Sequence, residues 1–222
     1  MEHSSGNGRT RPDERYRWVF VYGIGGDLRF ISHHDTLRLF RRALARANVA
    51  VRFSEGFNPH PRIMIPLPRP VGVASDVEAI IIETEVLLDP NDALQRLQHH
   101  TPADLRMIEA RRLQPGEQLQ PGRVRYRMEA ADVPMDDLIP RARHILESGI
   151  VEVTRVDPKS LQSRSVDIRP YIVDIRVVPQ AVEFTLHVTG GGTAKPAEIA
   201  GLLGYDAGSI NHRIRRMEIQ WR

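Results

Sequence analysis

Cysteine is absent from these 222 residues. Disulfides, thiolate zinc sites, iron–sulfur clusters and a cysteine nucleophile are therefore excluded together. Lysine is almost absent too, with Lys159 and Lys195 alone beside 29 arginines. Arginine is the cation suited to bidentate phosphate and carboxylate contacts and to stacking, although such a bias also arises in GC-rich genomes. Aromatic residues make up only 6% of the chain, and no apolar run nears the ~18 residues of a membrane-spanning helix. Met1 to Arg15 is polar and lacks the apolar stretch of a signal peptide, so a cytoplasmic protein that does not engage membranes is expected. What is present, 41% hydrophobic and 27% charged residues, describes a globular chain with room for one large domain or two small ones.

The formal net charge is only +3, so its distribution has to carry any argument about polyanions. Between Arg29 and Arg69 eight arginines stand against Asp35 and Glu55, with His33, His34 and His60 among them. Next comes an inversion: Asp76, Glu78, Glu83, Glu85, Asp89 and Asp92 have no basic residue between them. Two opposed electrostatic faces are expected from these adjacent segments.

Residues 1–14 lack periodicity and read as a disordered leader. From there the pattern predicts a strand over 16–24, a helix capped by Ser32 with apolar Leu37, Phe40, Leu44 and Ala47 on one stripe, and strands over 49–53 and 63–68 around the loop SEGFNPHPR. An alternating strand over 77–88, a helix over 91–100 and a strand over 105–113 complete a first unit, 15–113. Two Pro-Gly pairs make 114–122 a linker. A second unit, 123–222, repeats the order with strands at 123–130 and 150–156, a hairpin of 171–178 and 181–188, a last strand at 210–222, and helices at 135–148 and 196–203. The expected fold is α+β: two ferredoxin-like βαββαβ halves, each with its own four-stranded antiparallel sheet.

Five stretches carry the chemistry. GIGGDLRFISHHD joins Gly25 and Gly26, which permit close backbone approach, to Asp27, Arg29 and a helix N-terminus at Ser32, His33 and His34 suited to an anion. In SEGFNPHPR, Pro59 and Pro61 stiffen the loop around His60; Phe57 offers a base-stacking ring or a core anchor, Asn58 a base-edge donor or a turn cap, and Arg62 a phosphate contact. Helical spacing places Arg38, Arg41 and Arg42 off the apolar stripe. In the second unit Asp167 and Arg169 flank a bend at Pro170 as a site or an ordinary ion pair, and Lys195 follows three glycines as an anion nest or a plain loop. No metal and no cofactor is expected, because adjacent histidines on a helix diverge by about 100° and no H-x-x-x-H pair occurs. Nor is there a G-x-S-x-G, S-x-x-K or phosphate-loop motif.

GDLRFISHHDTLRLFRRALARA, SEGFNPHPRIMIPLPRPVGVAS, SVDIRP (165–170) and TAKPAEIAGLLG (193–204) occur in an order that resembles the radical-SAM-linked domain of unknown function 2344 family, over nearly all of residues 16–222. Lys195 stands where that family's pattern would have arginine. The resemblance implies a radical SAM enzyme as partner and a setting in RNA or ribosome maturation, with no catalytic residue to carry over. A chain without cysteine cannot hold that enzyme's cluster, so this chain would be the auxiliary half.

The expected function is accordingly a non-catalytic RNA-binding or substrate-presenting partner of a radical SAM enzyme, reading RNA rather than DNA. Its principal rival is an RNA-modifying or RNA-cleaving enzyme on paired ferredoxin-like halves, of pseudouridine synthase or repeat-RNA endonuclease type, with Asp27 or Asp167 as carboxylate and His33, His34 or His60 as acid or base. A protein-interaction module with a basic docking face is a third class. The GIGGD turn and the GFNPHP loop are expected to share one pocket if the nine-residue loop folds back along the sheet.

Overall fold

The computed structural model describes residues 15–130, 132–157 and 160–222, so the 1–14 leader lies outside the described residues. Strand β1 (Tyr16–Ile24) is followed by a 3₁₀ turn (Gly26–Phe30) and helix α1 (His33–Arg46). The short β2 (Ile63–Met64), the long β3 (Ala74–Thr84), α2 (Pro90–His99) and β4 (Leu105–Arg112) complete the first half. The second half runs β5 (Pro121–Glu129), α3 (Met135–Glu147), β6 (Glu152–Val156), β7 (Ser163–Asp167), β8 (Ile172–Val178), β9 (Ala181–His187), α4 (Pro196–Leu202) and β10 (Ile214–Trp221).

Seven strands lie in the order β4-β1-β3-β10-β5-β9-β8, with β2 beside β3. The expected pair of separate four-stranded sheets is thus corrected to one continuous, mostly antiparallel sheet. Its single parallel step joins β10 to β3 through only Arg215↔Ala74 and Arg216↔Ser75. Strands β6 and β7 form a separate hairpin. The sequence of β7, SRSVD, carries no alternation of apolar residues, and its pairing with β6 holds it extended.

Among the described residues, α1 to α4 cover one face of the sheet. In the first half Trp18, Phe20 and Tyr22 of β1 meet Phe40, Ala43 and Leu44 of α1 and Ala93 and Leu97 of α2. In the second, Val124, Tyr126 and Met128 of β5 meet Leu138, Ala142 and Ile145 of α3 and Ile199 and Ala200 of α4. The period-two burial of β5 shows why: the alternate residues Arg123, Arg125 and Arg127 face away from the helices into solvent. That opposite face keeps only a small apolar cluster of Val19, Ala79, Ile81 and Leu113, under the segment that follows β4.

That segment is no free tether. Arg17 Nη1 donates to Glu117 O at 2.9 Å, and Gln120 exchanges backbone bonds with Arg222. Two expected strands shrink for a local reason. Residues 49–53 make only isolated bridges, Val51↔Thr84 and Phe53↔Pro61, and Pro66 and Pro68 stop β2, since proline cannot donate to a ladder. Among the described residues no helix is long and apolar enough to cross a membrane.

Candidate nucleic-acid interface

The turn after β1 is closed by the chain itself. Gly26 adopts φ +45, and a Cβ there would overlap the carboxylate of Asp104, which accepts from Asp27 N at 3.1 Å. The anion expected at Gly25 and Gly26 is therefore Asp104. Ser32 caps α1 as foreseen: its Oγ accepts from Asp35 N at 3.1 Å and donates to the Asp35 carboxylate at 2.6 Å. These bonds and neighbouring Arg38 hold the Asp35 carboxyl below the usual range. His33 and His34 stand edge to face in this first turn, and burial, with the adjacent ring, lowers the His33 pKa.

The same rule governs the second half. Glu198 accepts from Lys195 N at 2.8 Å at the start of α4 and forms a bidentate pair with Arg155, filling the place expected for a ligand anion beside Lys195. Asp167 accepts from the backbone N–H groups of Val151 and Arg169 at 2.9 and 3.0 Å, which holds its carboxyl down. The guanidinium of Arg169 donates to Leu146 O, Ser148 O and Ile172 O, capping the end of α3. Both side chains thus serve the fold, and they meet through the Arg169 backbone.

Nor does the acidic stretch build a face. Glu78 is buried against Arg216, Asp76 pairs with Arg215 at 2.6 Å, Asp89 caps α2, and Asp92 pairs with Arg96 at 2.8 Å. Arg29 is likewise spent as a brace, donating to Gly26 O and, across to the second half, to His212 O. Arg38 pairs with Asp35 at 3.2 Å. Among the described residues no three of His, Asp and Glu gather as a metal site needs.

Three arginines of α1 have no ion pair among the described residues. Arg41, Arg42 and Arg46 line the exposed side of α1, opposite buried Phe40, Ala43 and Leu44. Beside the end of α1 the loop closes as a tight hairpin: Phe53 bridges Pro61, Ser54 N donates to His60 O at 2.8 Å, and His60 N donates to Ser54 Oγ at 2.9 Å. Its tip carries Gly56 at φ +126 and a Phe57 ring fully in solvent, with Asn58, His60 and Arg62 also exposed. Phe57 is no core anchor. Hydrophobic Phe53 is 54% exposed at the stem.

Two concavities flank this hairpin. One of about 210 Å³ lies between it and α1, walled by Leu44, Val49, Val51, Phe53 and Ile63 with Arg41 at the rim. The other, about 380 Å³, opens toward the uncovered sheet face between His60, Arg62, Met64 and Arg17, with Glu83 beside them. The hairpin bonds to the Thr84 end of β3, whereas the GIGGD turn adjoins Ser75 and Leu105 at the other end. Seven residue steps of β1 separate Arg17 from Ile24, about 23 Å at 3.3 Å per residue. The shared pocket expected for the two segments is therefore absent, because the hairpin's own cross-bonds stop it from folding back.

Residues 15–196 match the family model described as an uncharacterized protein conserved in bacteria, DUF2344. The chain belongs to that family. No curated protein matches the DUF2344 chain. Among solved structures, a crystal structure of an unknown protein from Galdieria sulphuraria aligns over 94% of this chain and 99% of its own at 10% identity and a TM-score of 0.25, too distant to inform fold or function. The matched span contains α1, the hairpin and β1 to β9, and thus every group of the interface described above.

Proposed function

We propose that this chain is a non-catalytic RNA-binding protein that presents RNA to a radical SAM enzyme in the cytoplasm. The observation that carries the RNA reading is Phe57, a ring left fully in solvent on a cross-bonded, proline-stiffened hairpin whose stem shares a hollow with Arg41 of α1, a helix whose Arg41, Arg42 and Arg46 have no ion pair among the described residues. Exposing a phenylalanine forgoes about 1.5–3 kcal/mol of burial, and stacking a base on it recovers energy of that order. Because the hairpin is already ordered, binding costs it little conformational entropy. Arg41, Arg42 and Arg46 then meet phosphates without first breaking an ion pair.

The strand orders β4-β1-β3-β2 and β10-β5-β9-β8, antiparallel at every step, support reading the halves as two ferredoxin-like units fused edge to edge. The resemblance of the motifs to radical-SAM-linked proteins supports the partner.

Fluorescence anisotropy with labelled single-stranded RNA tests the reading. Affinity should fall steeply as salt rises, and Phe57→Ala should weaken binding by about tenfold. Binding that is absent, or flat from low to physiological salt, removes the proposal. Co-purification with the radical SAM enzyme of the same cell tests the partner.

A further inference from the structure

The concavity beside His60 does not end at the hairpin. Through Arg17, Met64 and Ile81 it passes into a second hollow of about 340 Å³, floored by Leu119 and Pro121. Adjacent Gly122 opens a third, about 320 Å³, between Arg123, His187, Trp221 and Arg222. Pro121 pairs with Trp221, and Arg123 lies between Gln220 and His187, so the last hollow crosses β10, β5 and β9. The three follow one another over the uncovered face from β1 to β9, about 20 Å at 4.8 Å per strand.

We propose that this path is the track for an unpaired RNA strand that leaves the hairpin and crosses the open sheet face; the proposal rests on the RNA-binding reading above. Charge commits the occupant. Arg62 and Arg123 line the path without a side-chain partner among the described residues, Arg17 and Arg222 line it while bracing Glu117 O and Val188 O, and Glu83 is the one carboxylate among the described lining residues. Arg123 is exposed, with no ion pair among the described residues, whereas its neighbours on β5 are neutralised, Arg125 by Glu218 and Arg127 by Glu183. The floor decides the strandedness. Met64, Leu119 and the Trp221 indole offer surface to base faces, which only an unpaired strand presents. Gly122 keeps the path open at its far end, since a Cβ there would press on the Arg222 side chain.

The test uses the full chain with fluorescein-labelled oligouridine of about 12 nucleotides and a duplex of equal length, a size within the range of single-strand sites. Arg123→Glu should weaken the single strand by about tenfold and lower the salt slope by about 0.7, with melting temperature unchanged. Ultraviolet crosslinking should place adducts on β5 and β10 as well as on the hairpin. Should Phe57→Ala weaken binding while Arg123→Glu leaves it intact, or adducts stay within residues 52–64, RNA binding stands and the track is overturned. Equal affinity for the duplex, or displacement of RNA by polyglutamate at matched charge, overturns it as well, the latter in favour of an acidic protein segment. No RNA binding by the parent chain removes the underlying reading itself.

Discussion

Replacing Glu78 by glutamine should cost this protein about 3–5 kcal/mol, the scale for stranding one partner of a buried ion pair. Glu78 and Arg216 are each 1% exposed, and Arg216 Nη1 meets the two carboxylate oxygens at 2.9 and 2.8 Å. Burial pushes the Glu78 carboxyl up and the Arg216 charge opposes it. The guanidinium also reaches Tyr126 Oη and Pro68 O at 3.3 Å, while its buried Nε has no partner among the described residues. Glutamine keeps the shape but not the charge, so Arg216 would remain buried with weak neutral acceptors.

The location makes the loss global, because Glu78 on β3 and Arg216 on β10 sit at the parallel seam that only two residue pairs join. For a chain of this size each kcal/mol moves the melting temperature by about 2–4 °C, giving an expected drop of about 6–20 °C in calorimetry or circular dichroism. Glu78→Leu combined with Arg216→Met should recover to within about 1 kcal/mol of the parent, since the double change removes both buried charges and the orphaned Nε. A Glu78→Gln melt within about 2 °C of the parent, or a double variant no better than the single one, would refute the argument.

Gly26→Ala should lower stability by roughly 2 kcal/mol through its positive φ and its overlap with Asp104, and the penalty should shrink in an Asp104→Ala background when measured as a double-mutant cycle. Arg41→Glu with Arg42→Glu should abolish RNA binding at physiological salt yet leave the circular dichroism melt unchanged, because both side chains project away from the buried stripe of α1. The carboxyls of Asp35, Asp167, Glu117 and Asp206 are all held low, by hydrogen bonds from Ser32, from Val151, from Arg111 and from Ser209 respectively. A depressed folded-state pKa gives stability that is complete above the unfolded value, about 4, and is lost as pH falls through the folded one; melting temperature should therefore decline on acidification below about pH 4. A melting curve that does not shift there would count against those bonds.

Periodicity made the secondary elements readable. Alternation over β5, β9 and β10 and the Phe40–Leu44 spacing of α1 depend on burial along one segment, which sequence order preserves. The joining of two expected sheets into one was not readable, because β3 and β10 lie far apart in the chain and touch through two residue pairs and the Glu78–Arg216 contact. At the interface, the arginines of α1 and the hairpin were legible as candidates, but the exposure of Phe57 was not, since a lone aromatic beside proline fits either a core or a surface. Arg17 and Arg123 were missed as candidates although a signal existed. The alternating arginines at 123, 125 and 127 mark one face of a strand, but which of them is free depends on Glu218 and Glu183 across the ladder.

The failed anion nests and the surviving interface have one cause. A helix N-terminus or a glycine turn offers N–H donors to any carboxylate within reach, and a tethered one arrives without the entropy cost of a free ligand. Asp104 and Glu198 occupy two such positions here, and Ser32 Oγ takes the Asp35 N–H at a third. Each arginine that braces a carbonyl or pairs with an acid is withdrawn in the same way, as Arg29, Arg169 and Arg155 are. Cations left over after this internal matching can bind an external polyanion without breaking anything; among the described residues they include Arg41, Arg42 and Arg46 on α1, Arg62 at the hairpin and Arg123 on the open face of the sheet. The proposed RNA surface therefore draws on arginines that the fold has not neutralised rather than on the backbone motifs that bind phosphate in other folds.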